Sequence, residues 1–217
     1  MNCIVTAGPT YESLDRVRRL TNFSTGKLGS DLADSLADKG HNVVLLKGYY
    51  AVHQAEHRAQ TVLQFTTTAD LKARLQGLAN SNVDAVFHAA AVSDFGFGRV
   101  FRRTASGGLE ELQSGKFSTR DGVLLAELVP TEKIIAELRH WFSAAWLVGW
   151  KYEVDDGRVE AIAAGAQQIR VCRTDACVVN GPAYGAGFGF VTADSNCTHL
   201  EDSPHLFELL SARLQSR

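Results

Sequence analysis

The chain has no apolar run long enough to cross a bilayer, and its N-terminus, Met1-Asn2-Cys3-Ile4-Val5-Thr6-Ala7, lacks the basic flank and long apolar stretch of a secretion signal. No membrane association is expected, and the expected compartment is the cytoplasm. Basic tracts are missing too. With 22 Lys and Arg against 24 Asp and Glu, and a formal charge of -2, nothing is concentrated enough to displace counterions from a nucleic-acid backbone. Small polar ligands stay open. Cysteine is sparse: Cys3, Cys172, Cys177 and Cys197 form no zinc spacing, and in a reducing compartment they read as small buried hydrophobes. What is present is 217 residues, 45% of them hydrophobic, enough for one sizeable core, and a single domain over 1–217 is expected.

Short β-rich runs alternate with helical patterns, which predicts an α/β, Rossmann-like three-layer fold with a mostly parallel central sheet. Residues 3–7 read as the first strand. Leu28, Leu32 and Leu36 mark one face of a helix that Gly40 stops, and 42–46 return as a strand. A strand at 61–66, a helix bearing Leu71, Leu75 and Leu78, and a strand at 85–91 repeat the unit. Between about 92 and 122 the periodicity fails, and this stretch reads as an irregular excursion, a lid or a dimer arm, with no element assigned. A strand at 123–129 follows, then a helix with Thr131 as N-cap carrying Ile134, Ile135, Leu138 and Phe142. A short strand at 146–148, a helix at 157–171, a strand at 176–179 and a last helix presenting Leu206, Leu209, Leu210 and Leu214 complete the pattern.

Ligands of an open parallel sheet bind beyond the carboxyl ends of the strands, so the residues just past each strand are the candidates. Four segments qualify: 7–10, 90–94, 149–151 and 179–181. Ahead of the first long helix, Thr21-Asn22-Phe23-Ser24-Thr25-Gly26-Lys27-Leu28-Gly29 gathers hydroxyls, glycines and backbone donors at a helix N-terminus. Such an end suits a phosphate, and Ser24 or Thr25 could equally act as an ordinary cap; local chemistry leaves both open. A Walker loop is excluded, because the upstream glycine is missing and Lys27 is not followed by Ser or Thr. Gly185-Ala186-Gly187-Phe188-Gly189 lies too late in the chain for a dinucleotide fingerprint and reads as a flexible turn.

Taken in order, 5–12, 15–18, 21–29, Ala90-Ala91-Val92-Ser93-Asp94-Phe95, Gly115-Lys116-Phe117-Ser118-Thr119, Val148-Gly149-Trp150-Lys151 and Asp175-Ala176-Cys177-Val178-Val179-Asn180 resemble the phosphopantothenoylcysteine synthetases across nearly the whole chain. The resemblance implies a ligase that activates 4'-phosphopantothenate as an acyl nucleotidylate, using CTP or ATP, and then joins it to L-cysteine. It implies magnesium with the triphosphate, no flavin, no NAD, no nameable metal ligand, and a homodimer. Asn22 would hold the carbonyl region of the acyl intermediate and Lys116 would contact phosphate oxygens; a lysine in a polar loop is otherwise simply solvated. Nucleotide contacts would come from Gly8, Ser24, Thr25, Gly26, Ala89, Ala90 with Ala91, Asp94, Lys116, Glu132, Lys133, Ile134, Trp150 and Asn180. Against these stand tight packing for the alanines, turn capping for Asp94 and a core role for Trp150. Arg18 would touch the second subunit or stay solvated.

Three departures from the family pattern matter. No further lysine follows Lys116 closely; Gln168, Arg170 and Arg173 stand where paired lysines are expected; and Gly181 replaces an acid after Asn180. Two rival readings remain, a non-catalytic nucleotide-binding homologue and an NAD(P)-dependent reductase. The second is disfavoured because no Tyr is followed four positions later by Lys and no glycine fingerprint follows the first strand.

Overall fold

Strands buried on both faces read as continuous apolar runs, and the first strand, β1 (Asn2–Ala7), is such a run, buried from Cys3 onward. The computed structural model describes residues 1–79 and 81–217. After β1 come β2 (Tyr11–Ser13), β3 (Arg19–Thr21), α1 (Lys27–Asp38), β4 (Asn42–Gly48), β5 (Thr61–Phe65), α2 (Thr68–Leu78) and β6 (Ala85–His88). The second half holds β7 (Phe95–Arg103), β8 (Leu109–Leu112), β9 (Leu124–Pro130), α3 (Ile134–Trp141), β10 (Trp146–Tyr152), α4 (Arg158–Cys172), β11 (Ala176–Asn180), β12 (Phe188–Thr192), β13 (Cys197–Leu200) and α5 (Ser203–Gln215).

The central sheet has the order β13-β12-β11-β10-β6-β1-β4-β5. Its six strands from β11 to β5 are mutually parallel, and β12 and β13 extend it antiparallel. Helices cover both faces. Leu32 and Leu36 of α1 and Leu206, Leu210 and Leu214 of α5 pack with Val5, Phe87 and Val148 on one side. On the other, Leu71 and Leu75 of α2 and Ile134 and Leu138 of α3 pack with Ile4, Val86 and Leu147, while Ala161 and Ile169 of α4 cover β11 and β12. The three-layer, mostly parallel architecture expected from the alternating pattern is the one observed. Gly40, at φ 82°, ends α1 as expected, its neighbour His41 bonding back to the Leu36 carbonyl.

Several expectations need correction. The 92–122 stretch is not irregular: β7 and β8 lie within it and pair with β9 in a separate antiparallel sheet, order β8-β7-β9. The strand expected at 123–129 therefore belongs to this arm and not to the central sheet. Its period was hidden because the arm is one layer thick, exposes much of both faces, and carries a bulge between Phe97 and Val100. Thr131 is not an N-cap; its hydroxyl donates to the Ser93 carbonyl, and α3 begins after Lys133 with no side-chain cap. Of the presumed turn at 185–189, Phe188 and Gly189 open β12, where the Tyr184 ring stands 2.7 Å from the point a Gly189 Cβ would occupy. The strand expected to reach 91 ends at His88, and the one expected at 146–148 runs to Tyr152.

Candidate functional site

From β1 the chain steps to β4 and β5 on one side, then returns through α2 to β6 on the other side of β1. The strand order thus reverses between β1 and β6, and a crevice must open beyond their carboxyl ends. Both strand ends are tied across the gap. Pro9 and Ala91 form a parallel bridge, the Thr10 amide donates to the Ala91 carbonyl at 3.1 Å, and the Ala91 amide donates to Gly8 at 3.0 Å. The Ser93 amide donates to Thr10 Oγ1 at 2.8 Å, so the hydroxyls of this rim are used to fix the Ala89–Asp94 turn.

Close approach of α1 to β1 sets the crevice wall. A Cβ on Gly29 would stand 2.8 Å from Ala7 Cβ and 2.9 Å from the Thr6 carbonyl oxygen, so only glycine lets the helix start that near the strand. Gly26, at φ 77°, is the N-cap, and no side chain caps it. Thr25 Oγ1 accepts only from the Lys27 amide, at 3.2 Å. Of the two readings left open by the sequence, capping by Ser24 is therefore absent and that by Thr25 is limited to one amide. The first-turn amides of α1 keep their capacity to meet an anion.

The resulting cavity has a volume of about 750 Å³. Asn22, Ser24, Thr25 and Gly26 line it from the α1 side; Ala89, Ala90 and Asp94 from the β6 turn; Glu132, Lys133 and Ile134 from the start of α3; Trp150 and Asn180 from β10 and β11. Gly8 is not on the wall, but its Cα lies 3.2 Å from where a Gly26 Cβ would be, so it shapes the wall from behind. Lys116 also lies off the wall. It is exposed on the loop that joins β8 to β9 within the arm, its carbonyl accepting from Ser114 Oγ at 2.8 Å. That loop is fastened beside the β2–β3 turn: Arg18 pairs with Asp15 at 2.9 Å and donates to the Phe117 carbonyl at 2.9 Å. Burial pushes the Asp15 carboxyl up, but bonds from the Val17, Phe117 and Arg18 amides and the Arg18 charge outweigh it and hold it below its ordinary value.

Asn22 sits at the lip, its side-chain amide nitrogen donating to the Ala91 carbonyl at 3.1 Å. Three lysines line the cavity, each beside an acid: Lys27 with Asp31 at 2.5 Å, Lys133 with Asp94 at 3.1 Å and Lys151 with Glu153 at 3.0 Å. Glu132 is paired with Lys72. Exposed pairs of this kind hold weakly and can be exchanged for a ligand charge.

Sequence reasoning missed His88. It lines the cavity floor while 95% hidden from solvent, at 5% exposure, with Nδ1 3.0 Å from Thr6 Oγ1, which itself accepts from the Ala90 amide at 3.0 Å. Burial pushes its pKa down to about 4, so the ring is neutral at neutral pH. Its place at the end of an apolar strand was the available signal. Gly181 also gains a reason: at φ 112° with the Glu153 carbonyl oxygen 2.4 Å from a would-be Cβ, it cannot be an acid.

A smaller hollow of about 410 Å³ lies at the opposite rim among Trp146, Asp175 and Arg213. There Arg217 lies 5.7 Å from the Trp146 ring centre and no helix N-terminus opens into it, so the crevice is the better candidate.

A parallel sheet with this reversal and two helix starts facing one cavity defines a Rossmann-like α/β protein with a crevice at its strand ends. The chain belongs to the DNA/pantothenate metabolism flavoprotein C-terminal domain family, which matches residues 1–211. The coenzyme A biosynthesis bifunctional protein CoaBC of Bacillus subtilis is 32% identical over 194 residues, 89% of this chain and 43% of that protein. The chain thus spans less than half the length of that relative. A solved DNA/pantothenate metabolism flavoprotein from Streptococcus pneumoniae superimposes with a TM-score of 0.86 at 25% identity, covering 100% of this chain and 99% of the other. A mutant of Cab2 solved with phosphopantothenate-cysteine gives 0.71 at 20% identity over 100% of this chain and 85% of that one, a likeness of fold. Among the described residues no helix is long and apolar enough to cross a membrane.

Proposed function

We propose that this chain is a phosphopantothenate–cysteine ligase acting in coenzyme A biosynthesis, with 1–217 working as one synthetase domain. The observation that carries the reading is the uncapped start of α1 beside Asn22 at the strand-order reversal, in a family member whose relatives are named for that pathway. The name of CoaBC and the Cab2 complex with phosphopantothenate-cysteine support the substrates.

The reaction has two steps. A carboxylate oxygen of 4'-phosphopantothenate attacks the α-phosphorus of CTP or ATP, and pyrophosphate leaves with its electron pair to give a mixed anhydride. The cysteine amine then attacks the acyl carbon, the nucleoside monophosphate leaves, and the nitrogen loses a proton as the amide forms. Little covalent help from protein is required; two anionic reactants must be held together and charge stabilised as it develops. The α1 amides suit phosphate oxygens, Asn22 suits the acyl carbonyl, and the half-buried Trp150 offers a face to a base. Asn180 and Ile134 bound the same space.

Magnesium suits this wall, since it is held mainly by triphosphate and water and asks for one or two carboxylates, here Asp94 and Glu132. When bound, it neutralises phosphate charge. Lys116, off the wall of its own chain, is read as reaching a cavity from the neighbouring subunit of a homodimer, with Arg18 fixing its loop. The test is purified protein with 4'-phosphopantothenate, magnesium and CTP or ATP. Pyrophosphate is expected before cysteine is added, and Lys116→Gln is expected to suppress it by about 10²-fold. Absence of pyrophosphate with both triphosphates overturns the reading.

A further inference from the structure

In this fold α4 borders the crevice, yet the side chain it contributes to the cavity is neutral Gln168. The Gln168 amide lies over β10 where Gly149 leaves room, its nitrogen 2.3 Å from a would-be Gly149 Cβ. It is held there by Cys177, whose Sγ accepts from Gln168 Nε2 at 3.3 Å. Arg170 and Arg173 are not on the cavity wall; Arg170 donates to Gln167, and Arg173 forms the left-handed end of the helix at φ 54°. A triphosphate brought to this corner would meet an amide.

Two residues past Gly149 the same face of β10 carries Lys151, since alternate strand residues share a face and Leu147 packs toward α3. Lys151 lines the cavity, and among the described residues its ammonium pairs with the partly exposed Glu153 at 3.0 Å. Lys133, at the start of α3, lines the same cavity, its ammonium paired with Asp94 at 3.1 Å. Two cations from different elements thus line a cavity to which α4 contributes none.

We infer that Lys151, with Lys133, forms the polyphosphate-binding corner of the crevice, supplying from β10 the positive charge that α4 lacks. The inference rests on the nucleotide-using reading of the site and goes beyond it by assigning Lys151. Each ammonium exchanges its acid partner for phosphate oxygens, a trade that favours a ligand of several charges over a solvated surface pair. Gln168 keeps its amide beside the phosphates without adding charge, so the corner has its cations on the strand and the α3 start.

The test is isothermal titration of the intact chain with inorganic tripolyphosphate and, separately, with CTP and ATP. Lys151→Gln is expected to weaken tripolyphosphate binding about tenfold, with Lys151→Arg keeping most of it. Adding Gln168→Lys to Lys151→Gln is expected to regain most of the loss, an outcome a merely structural role would not give. Lys39→Gln, which removes an equal charge from the far end of α1 where Lys39 pairs with Glu208 at 2.8 Å, is expected to bind as the native chain does. Native affinity in Lys151→Gln, an equal loss in Lys39→Gln, or no tripolyphosphate binding by the native chain would each overturn the assignment. Pyrophosphate release by the native chain is read separately, so the ligase reading can stand while this one fails.

Discussion

The crevice-bearing core and the three-stranded arm solve different problems with similar strand lengths. In the core, β1 and β6 are buried on both faces and every neighbour is fixed by packing; Val5, Phe87 and Ala85 are fully enclosed. In the arm, β7, β8 and β9 make one layer that leaves Phe95, Leu109, Leu128 and Val129 exposed. What holds the arm is backbone pairing with surface ion pairs such as Arg99–Glu127 at 2.8 Å and Arg102–Glu110 at 2.6 Å. The contrast teaches that rigidity is concentrated at the strand ends that carry the crevice, while the arm is built to present surface.

The sharpest way to break this comparison is to load the core where it has no room. Gly29→Val would drive a side chain into Ala7 and the Thr6 carbonyl, so a loss of about 3 kcal/mol or more is expected, read as a large drop in Tm.

Next in size is a proton. The unfolded chain binds a proton at a histidine near pH 6.5, whereas folded His88 refuses it until about pH 4. Its contribution is therefore complete above pH 6.5 and is lost as pH falls toward 4, at most roughly 3 kcal/mol. Urea midpoints at neutral and acid pH should show that His88→Gln loses less stability on acidification than the native chain. An equal loss in both would contradict a buried neutral ring.

The smallest effect belongs to the arm. Leu109→Ser, at an exposed strand position, is expected to change stability by no more than about 0.5 kcal/mol. A loss matching that of Gly29→Val would erase the distinction between the regions.

The same contrast explains what could be read from the sequence. Runs such as Cys3-Ile4-Val5 and Val178-Val179 announce strands buried on both faces, and the helix repeats Leu28-Leu32-Leu36 and Leu71-Leu75 announce their covers. The arm gave no such pattern, because Phe95-Gly96-Phe97-Gly98-Arg99 is partly solvated and its bulge breaks the two-residue period. β12 was hidden for another reason: Gly187 and Gly189 look like a loose turn, yet the backbone and rings packed against them demand glycine.

At the site, residues just past strands or just before helices were legible, and the structure brings Asn22, Gly26, Ala90, Asp94, Lys133 and Asn180 around one cavity. His88 was not singled out, since it sits inside β6; Lys151 was marked only as part of the 149–151 strand end and Gln168 only as a departure on its helix, because their roles come from which face they share. Lys116 was chosen by resemblance alone, and the wall of this chain's cavity does not include it.

Hydrogen–deuterium exchange with and without magnesium and CTP or ATP tests most directly whether the crevice between the ends of β1 and β6 receives the nucleotide. Slowed exchange over 24–29 and 89–94, with β8 unchanged, is the expected result. Unchanged exchange in both crevice segments under saturating nucleotide would contradict it.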